Sequence, residues 1–261
     1  GQDRKAAVRS RDIRLSRILV TGKNGQVGFE LQRRLARLGE VIAADRAQLD
    51  LADPDSIRRA VRETKPDLIV NAAAYTAVDQ AEAEPELALA INGAAPGILA
   101  EEAKRAGAAL IHYSTDYVFD GSKTSPYTED DEPRPISAYG RSKLAGERAI
   151  QAVDVPHLIL RTSWIYGARG KNFLVTILRL AREREQLSIV DDQVGAPTWS
   201  RAIAAATGGI LEHLGYGQAA FRAACAEKRG IYNLSAAGQT SWHGFAAAIL
   251  ANAASAQPGQ P

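Results

Sequence analysis

The sequence predicts an α/β fold, a doubly wound parallel sheet with helices on both faces and a smaller C-terminal portion after it. Three observations support this prediction. Short runs rich in Val, Ile and Leu alternate with helical patterns from residue 17 onward, as in sheets that are buried on both faces. Spaced glycines separate the first apolar run from the first helical pattern. The alternation becomes irregular after about residue 165. We therefore expect the sheet domain over 17–165 and the smaller portion over 166–253.

The predicted elements follow one another in a regular order. The strands are continuous apolar runs that end in small or polar residues, at 17–20, 41–45, 67–73, 109–114 and 157–163. The helices between them have apolar residues at helical spacing, at 25–39, 54–63, 85–107 and 138–150. In the C-terminal portion we expect helices at 172–185, 199–213 and up to about 253, strands at 187–190 and 230–235, and a loop at 191–199.

Composition limits the class of protein. The chain has 261 residues, of which 46% are apolar, and this is enough for a substantial core. It contains no run of about 18 uncharged apolar residues, so we expect no membrane span. Cys225 is the one cysteine, which excludes an internal disulfide and favours a reducing compartment. We therefore expect a cytoplasmic protein.

The two ends of the chain are predicted to lie outside the fold. Residues 1–17 carry six basic and two acidic side chains, whereas the net charge of the whole chain is +2. A basic segment can bind nucleic acid, but this one has no interleaved aromatic residues and little apolar pattern. We therefore predict a disordered basic leader over 1–16, no nucleic-acid partner, and a flexible tail over 254–261.

The spaced glycines form a dinucleotide-binding motif. Gly22, Gly25 and Gly28 lie between a strand and a helix, where a tight turn, an open approach to the helix N-terminus and close helix packing are all needed. Three glycines alone are equally consistent with a turn and a helix cap. Asp45, however, ends the second strand 23 residues after Gly22, where an acid can bind the adenosine ribose. Together these features predict a Rossmann domain that binds a dinucleotide cofactor.

The residues leave the choice of cofactor open. Asp45 favours NADH, whereas Arg46 and Lys23 could accept the additional phosphate of NADPH. The predicted cofactor residues lie in the glycine loop, after the second strand, and in the small-residue segment after the third strand. They are Gly22, Lys23, Asn24, Gly25, Gln26, Val27, Gly28, Asp45, Arg46, Asp50, Leu51, Ala72, Ala73, Ala74 and Tyr75.

Polar side chains end the third and fourth predicted strands. Asn71 precedes three alanines, which leave space for a flat ring but are also ordinary at a strand-to-loop junction. Ser114, Thr115, Asp116 and Tyr117 follow one another at the edge where open α/β sheets bind ligands. Hydroxyls at strand ends are more often turn formers, but a hydroxyl here could also donate a hydrogen bond to a substrate carbonyl.

Tyr139 and Lys143 lie four residues apart in "AYGRSKLAGE" and therefore on one face of a helix. Each alone would usually be a packed ring or a solvated cation. With the glycine loop and Thr115, 24 residues before Tyr139, they resemble the active-site order of the short-chain dehydrogenase/reductase superfamily. We expect the Lys143 ammonium and an oxidised nicotinamide to lower the pKa of Tyr139 toward neutrality. Tyr139 would then exchange a proton with a substrate oxygen that Thr115 polarises, and Lys143 would hold the nicotinamide ribose.

Further segments resemble one family within this superfamily. "VTGKNGQVG", "VNAAAYTAVDQAE", "YSTDYVFDG", "SAYGRSKLAGE", "RTSWIYG" and "DDQVGAPT" together are similar to the dTDP-4-dehydrorhamnose reductases, from about residue 17 to about residue 250. The resemblance implies that NADPH or NADH reduces the C4 ketone of dTDP-4-dehydro-L-rhamnose, a nucleotide sugar. The product would be dTDP-L-rhamnose for surface polysaccharides.

The resemblance also implies roles for individual residues. It places Thr115, Tyr139 and Lys143 at the catalytic positions, with Tyr139 and Lys143 also at the cofactor, and Thr76 beside the nicotinamide. Trp164 could equally be a core residue at a strand end. The residues implied to contact the substrate are Val78, Asp116, Tyr117, Trp164, Asn172 and Gln193.

A metal site and the quaternary structure are less well defined. The resemblance implies Mg²⁺ and a homodimer, but the family's C-terminal segment has no match in this sequence, so we assign no metal ligands. His112, His157, His213 and His243 lack ligand spacing, and we expect them to have packing or surface roles.

Two other functions use the same motifs. A nucleotide-sugar epimerase or dehydratase recycles its cofactor, but a dehydratase usually needs an acid–base pair here, and Asp116 is followed by Tyr117 rather than by glutamate. A regulatory subunit similar to the β subunit of methionine adenosyltransferase would bind the cofactor without turnover. The presence of Thr115, Tyr139 and Lys143 argues against that alternative.

Overall fold

The structure, a computed structural model, describes residues 16–255. The leader predicted over 1–16 therefore lies outside the described residues, except for Ser16. The predicted tail begins two residues too early, because the last helix runs to Ser255, and the rest of that tail also lies outside the described residues.

A parallel sheet forms the centre of the fold. The strands of the described chain are β1 (Arg17–Thr21), β2 (Glu40–Ala44), β3 (Leu68–Asn71), β4 (Ala109–Thr115), β5 (His157–Thr162), β6 (Ile165–Tyr166), β7 (Val194–Gly195), β8 (Thr198–Trp199), β9 (Gly230–Asn233) and β10 (Thr240–Ser241). Six of these pair in parallel, in the order β2-β1-β3-β4-β5-β9. The chain runs from β1 outward to β2 and returns to the other side at β3. The switch point of the topology, where such sheets bind ligands, therefore lies between β1 and β3.

Helices cover both faces of this sheet, as predicted. Those of the described chain are α1 (Gln26–Leu35), α2 (Pro54–Thr64), α3 (Pro85–Leu89), α4 (Ala95–Ala106), α5 (Ala138–Gln151), α6 (Phe173–Glu183), α7 (Ser200–His213), α8 (Phe221–Glu227) and α9 (Trp242–Ser255). Leu31 of α1 and Ile203 of α7 pack on one face, with Ile18 of β1. Ile57 of α2 and Leu99 of α4 pack on the other, with Leu19 of β1. Alternate residues of β1 thus face opposite layers.

Helix α5 makes an unusually close contact with the segment that joins α3 to α4. That segment is a π-helical turn, Ala90–Ala94, so the helix predicted over 85–107 is continuous but locally widened. The Asn92 amide donates to Ser142 Oγ of α5 at 3.0 Å. Gly146 lies so close to Asn92 that an added Cβ would overlap the Asn92 carbonyl oxygen. The absence of a side chain at Gly146 therefore allows α5 to approach this turn.

The chain after residue 165 both extends the sheet and forms a second cluster. Strand β9 is the edge strand beside β5, so the division predicted at residue 165 does not coincide with the end of the sheet. Helices α6 and α9 pack through Ile177, Ala246 and Ile249. Two short pairs accompany them, β6 with β8 in parallel and β10 with β7 antiparallel.

One predicted strand is wrong. Residues 187–190 form no strand in the structure. Leu187 and Ile189 pack against the cluster of α6 and α9, and the carbonyl oxygen of Val190 accepts one hydrogen bond, from the His243 amide at 3.0 Å. The apolar pattern of this segment therefore reflects packing against helices rather than pairing in a sheet. The short strand β7 follows it instead.

The approach of α5 to the π-helical turn predicts opposite effects at two helical glycines. In Gly146→Ala the new methyl group collides with backbone, so we expect the free energy of unfolding to fall by about 1–3 kcal/mol, the usual cost of overpacking. Gly209 of α7 is the matched control, because nothing lies within 4 Å of an added methyl group. There alanine should raise stability by about 0.5–1 kcal/mol. Urea unfolding measures both changes, and two equal changes would contradict the packing described.

Candidate active site

A single large cavity opens at the carboxyl ends of β1, β3, β4 and β5. Its volume is about 660 Å³, within the range of ~300–1,000 Å³ that is usual for small-molecule sites. The predicted site residues that line it are Gly22, Gly25, Gln26, Val27, Ala72, Ala73, Ala74, Thr76, Val78, Thr115, Asp116, Tyr117, Tyr139, Lys143, Trp164 and Asn172. The topology therefore brings most of the predicted cofactor, catalytic and substrate residues to one place.

The glycine loop has the backbone that a dinucleotide site needs. Gly22 has a positive φ of 71°, and an added Cβ would lie 2.9 Å from the Ala73 Cα atom. An added Cβ at Gly28 would overlap the carbonyl oxygen of Gly22. Gly25 is the N-cap of α1 and supplies no side-chain cap, so the first amide groups of this helix, which lie at the cavity wall, are available to an anionic ligand.

Two buried polar atoms at the cavity wall also indicate a bound cofactor. Gln26 Oε1 is buried and has no hydrogen-bond partner among residues 16–255, and the same holds for Ser114 Oγ. Both residues line the cavity. Buried polar atoms are nearly always partnered in native structures, so these two indicate a polar ligand that shares the cavity with them. The residues present thus fit a nicotinamide dinucleotide.

The acid predicted to bind the adenosine ribose is paired with a lysine of the glycine loop. Lys23 Nζ lies 2.9 Å from Asp45 Oδ2, and it donates to Gln48 Oε1 at 2.6 Å. This contact with Lys23 holds the pKa of the Asp45 carboxyl below its usual value. Arg46 pairs in turn with Asp50 at 3.2 Å. Both acids therefore face a cation, which weakens their repulsion of a second negative group.

Tyr139 and Lys143 lie one helical turn apart on α5 and both line the cavity. Lys143 is almost completely buried, at 2% exposure. Its Nζ donates to the carbonyl oxygen of Tyr113 at 2.6 Å and lies 3.3 Å from His112 Nε2. Burial lowers the pKa of Lys143 to about 8, and the charge of Glu147 acts in the opposite direction.

The expectation that Lys143 and an oxidised nicotinamide together lower the pKa of Tyr139 concerns the cofactor-bound site and stays a prediction, whereas the described residues by themselves shift this pKa in the opposite direction. Burial raises the pKa of Tyr139 to about 12, although a hydrogen bond with Thr115 acts in the opposite direction. The nearby charge of Asp116 raises it further. The reason is that the Lys143 ammonium is directed to β4, at Tyr113 and His112, rather than to the phenol.

Thr115 and Asp116 form a small polar group opposite Tyr139. Thr115 Oγ1 donates to Asp116 Oδ1 at 3.1 Å, and Ser163 Oγ donates to Asp116 Oδ2 at 2.8 Å. Burial raises the pKa of Asp116, and these two hydrogen bonds oppose that change. The Tyr117 ring meets the Tyr139 ring edge to face, with centroids 5.6 Å apart. The Tyr139 hydroxyl therefore faces a site that already contains hydrogen-bond donors and acceptors.

Two stacked tryptophans form the far wall of the cavity. The rings of Trp164 and Trp242 are 3.5 Å apart between centroids and 8° from parallel. Trp164 has a φ of 43°, in the left-handed region that a bulky residue rarely adopts. Gly195 lies against the Trp164 ring, where an added Cβ would overlap the indole. Trp242 Nε1 donates to Gln193 Oε1 at 3.3 Å, so the loop at 191–199 supports this wall.

Helix α5 is tied to the sheet by a buried ion pair. Arg161 of β5 donates to both carboxylate oxygens of Glu147, at 2.9 and 2.7 Å. The two side chains are 2% and 0% exposed, and Arg161 also lies over the Phe119 ring. At its other end α5 begins at Ser137, whose side chain accepts from the Gly140 amide at 3.0 Å. These contacts set where Tyr139 and Lys143 lie relative to β4.

The remaining predicted residues lie off the cavity wall. Tyr75 donates to Glu84 at 2.6 Å, and its backbone amide donates to Asn92, so it holds the loop after β3 in place. Gln193 reaches the site only through Trp242. The others in this group are Lys23, Asn24, Gly28, Asp45, Arg46, Asp50 and Leu51.

Sequence reasoning missed several residues of the wall. Trp242 could not be found because it lies far along the chain in a helix with no recognised motif. Thr162 could have been found, because it ends β5 directly beside Thr115 in the register of the sheet. The other lining residues that were not predicted are Tyr113, Ile165, Gly170 and Lys171, whereas Ser114 was expected at this edge but given no role of its own.

The described residues contain neither a cluster of metal ligands nor a membrane-spanning helix. Among the described residues, no group of three or more His, Cys, Asp or Glu side chains is placed to hold a metal ion. Within the same part of the chain, no helix has the length and apolar character that a membrane crossing requires.

The chain is similar over most of its length to proteins of one class. The family described as RmlD substrate binding domain matches residues 16–260. A dTDP-4-dehydrorhamnose reductase from Burkholderia thailandensis is 54% identical over 236 residues, which cover 90% of this chain and 78% of the relative. One from Escherichia coli K12 is 46% identical over 242 residues, with the same coverage. A crystal structure from Bacillus anthracis, of a dTDP-4-dehydrorhamnose reductase in complex with NADP, has a TM-score of 0.83 at 36% identity, covering 92% of this chain and 81% of that one.

The buried pair of Glu147 and Arg161 predicts a large loss of stability. In Glu147→Gln the guanidinium of Arg161 stays buried without a counter-charge, so we expect the free energy of unfolding to fall by about 3–5 kcal/mol. Glu183→Gln is the matched control, because Arg179 and Glu183 also lie 2.7 Å apart but on the surface. Its effect should stay below about 1 kcal/mol. Chemical unfolding compares the two, and similar losses would contradict the role of burial.

Proposed function

The chain belongs to the dTDP-4-dehydrorhamnose reductase family, and from this premise we propose how its cavity carries out the reaction. The chain is an NAD(P)H-dependent oxidoreductase that reduces the C4 ketone of dTDP-4-dehydro-L-rhamnose to dTDP-L-rhamnose, in nucleotide-sugar biosynthesis. The observation that carries the proposed mechanism is that the glycine loop, Thr115, Tyr139 and Lys143 converge in one cavity.

The residues assigned to the cofactor are those of the glycine loop and of the two neighbouring strand ends. NADPH or NADH supplies the hydride when bound. The N-terminus of α1 would receive the pyrophosphate, because its amide groups have no side-chain cap. Asp45 and Lys23 would receive the adenosine ribose and the phosphate that distinguishes NADPH. Ala72 and Ala73 leave space beside the backbone for a flat ring.

Tyr139 is assigned as the proton donor. Because its pKa is about 12, the phenol keeps its proton at neutral pH and is ready to protonate a developing alkoxide. The Thr115 hydroxyl, which hydrogen-bonds Tyr139, would turn from Asp116 to donate to the same oxygen. In its charged form, Lys143 would hold the nicotinamide ribose. In the reducing direction a raised pKa of Tyr139 is therefore consistent with its role.

The sugar nucleotide is assigned to the side of the cavity that faces the C-terminal portion. Asp116 and Tyr117 follow β4, and Trp164 stacks on Trp242 across from them. Asn172 caps α6 by accepting from the Val175 amide at 3.1 Å and also lines the cavity. Flat apolar rings beside carboxylate and amide groups suit a deoxysugar with one methyl group and several hydroxyls.

The cellular location and the oligomeric state belong to the proposal as well. A cytoplasmic location is supported by the use of a single cysteine, which is buried in the fold. A homodimer is supported by the family resemblance alone, and light scattering of the purified protein would test it.

The direct test of the proposal is turnover. Purified protein should consume one NADPH or NADH for each molecule of added dTDP-4-dehydrorhamnose. The decrease in the absorbance of the reduced nicotinamide measures this consumption. A regulatory subunit would bind the cofactor and leave the absorbance unchanged, whereas an epimerase would show no net consumption. Either result would contradict the proposal.

The assigned proton donor predicts a specific loss. Tyr139→Phe should lower kcat by about 10²–10⁴-fold, the usual contribution of a general acid, with cofactor affinity within about two-fold of wild type. Tyr127→Phe is the matched control, because its hydroxyl donates to Asp120 at 2.8 Å outside the cavity wall. Full turnover by the Tyr139 variant would remove this residue from the mechanism.

The pair of Lys23 and Asp45 predicts a change in cofactor preference. In Lys23→Ala the Asp45 carboxylate loses its counter-charge and repels the additional phosphate of NADPH. NADH lacks this phosphate, so its binding should weaken less. We expect the ratio of KM values for NADPH and NADH to rise by no more than about five-fold, because the contact between Lys23 and Asp45 is exposed to solvent. Lys104→Ala, on the exposed side of α4, is the control. An unchanged ratio would contradict this arrangement.

A further inference from the structure

A buried histidine lies directly behind Lys143. His112 belongs to β4 and is 1% exposed. One ring nitrogen, Nε2, lies 3.3 Å from Lys143 Nζ, and the other, Nδ1, lies 2.9 Å from the Asn71 side-chain amide on β3. His112 is not part of the cavity wall, and its side chain contacts the wall residue Lys143 directly.

The Lys143 ammonium has three N–H groups, and the sheet provides acceptors for two of them. One donates to the Tyr113 carbonyl oxygen at 2.6 Å, and a second meets His112 Nε2. Lys143 also lines the cavity, so the third N–H remains for a ligand there. The two contacts with β4 therefore decide where the ammonium points.

A charged Lys143 selects one tautomer of His112. To accept from the ammonium, Nε2 must be unprotonated, so the ring proton of the neutral imidazole lies on Nδ1. In the structure the Asn71 NH₂ group faces Nδ1, and the Asn71 side-chain oxygen accepts from the Thr21 hydroxyl at 2.6 Å. The tautomer protonated on Nδ1 therefore requires the Asn71 amide to turn over, so that its oxygen accepts from Nδ1–H and its NH₂ group faces Thr21 Oγ1. The Thr21 hydroxyl, which accepts from the Ala73 amide at 3.1 Å, can also accept from Asn71. With the Asn71 amide turned over, each contact from Lys143 through His112 and Asn71 to Thr21 pairs a donor with an acceptor while Lys143 is charged.

We propose that His112 is a positioning residue for Lys143: the Nε2 atom of His112 accepts a hydrogen bond that keeps the ammonium charged and leaves its third N–H for the cavity. The inference rests on the proposed function, because it gives His112 its effect through a residue of that site. It adds to that function a group that touches neither cofactor nor substrate.

Several elements bring charged or titratable side chains close to Lys143. On α5 itself are Glu147, which supports the charge, and Tyr139. Arg161 of β5 faces Glu147, and Asp116 after β4 faces Tyr139. The side chains that reach this region from β3 and the π-helical turn, Asn71 and Asn92, are uncharged. His112 is therefore the nearest titratable group that contacts the ammonium directly, and burial keeps the pKa of its imidazole well below the usual value, so it stays neutral.

The sign of the pH effect follows from this arrangement. Lys143 is charged below its pKa, which burial has lowered to about 8. A hydrogen bond accepted from the ammonium favours the charged form and raises this pKa. Loss of the acceptor would therefore lower the pKa, and tight cofactor binding would be lost at a pH about one unit lower than in the wild type.

Two amide variants separate the contact with Lys143 from the contact with Asn71. The side-chain oxygen of glutamine in His112→Gln can take the place of Nε2, whereas that of asparagine in His112→Asn can take only the place of Nδ1. We expect His112→Asn to move the alkaline limit of NADPH binding down by about one pH unit and His112→Gln to leave it within about 0.3 unit of wild type. The readout is the pH dependence of NADPH fluorescence on binding, with KM and kcat measured in parallel.

A variant of a second buried histidine serves as the control for His112→Asn. His157→Asn tests a second buried histidine of the sheet, which contacts the Val155 carbonyl oxygen and should leave the pH profile unchanged. Equal profiles for His112→Asn and His112→Gln would overturn the inference. Failure of the wild type to turn over substrate would instead contradict the proposed function, because the binding measurement does not depend on turnover.

A measurement on the unaltered protein covers the case in which the variants do not fold. In ¹⁵N NMR of protein with labelled histidine, the His112 signals should report the tautomer protonated on Nδ1 at pH values below the titration of Lys143. Protonation on Nε2 in that range would overturn the inference.

Discussion

The active site depends on the position of α5 against the sheet. This helix carries Tyr139 and Lys143, and its inner face is not only apolar: besides Leu144 and Ile150, the polar residues Ser142, Lys143 and Glu147 are buried. Each of these polar groups has a partner on a neighbouring element, and Arg161 supplies the charge that Glu147 requires. Because an unpartnered buried polar group is costly, the helix has few other positions in which all of them are satisfied. The same contacts that anchor α5 thus orient the catalytic side chains.

Much of the fold could be predicted because its signals are local. Continuous apolar strands, helical spacing and the glycines around Gly25 each need only a short stretch of sequence, and they located the sheet and the cavity edge correctly. The segment at 187–190 failed for the same reason: its apolar pattern is that of a strand, but the partners of Leu187 and Ile189 are distant helices. Trp242 and His112 carry no local signal at all, since each gains its place through a tertiary contact.

The far wall of the cavity depends on the chain after residue 165. Trp164 follows β5 in a backbone conformation that costs energy for a bulky side chain. The stacking of its ring on Trp242 of α9 helps to hold Trp164 in that conformation. Gly195 leaves the space that the indole occupies. The dinucleotide side of the cavity is built by the sheet and α1, whereas the side assigned to the sugar depends on the contacts of α9 and the loop at 191–199 with Trp164. Strain at Trp164 is therefore a mark of the site rather than a defect of the sheet.

One physical cause, burial, shifts the pKa values of Tyr139 and Lys143 on α5 in opposite directions. It disfavours the phenolate of Tyr139 and the ammonium of Lys143 alike, so the pKa of the first rises to about 12 and that of the second falls to about 8. In water the two groups have nearly equal pKa values, of ~10 and ~10.4. In this fold the proton is held much more firmly by the tyrosine, which suits a group that must protonate a reduced carbonyl. The lysine then needs assistance to remain charged, and Glu147, the Tyr113 carbonyl and His112 are placed to give it. A reductase that used Lys143 mainly to ionise Tyr139 would require the opposite arrangement, with the ammonium turned to the phenol.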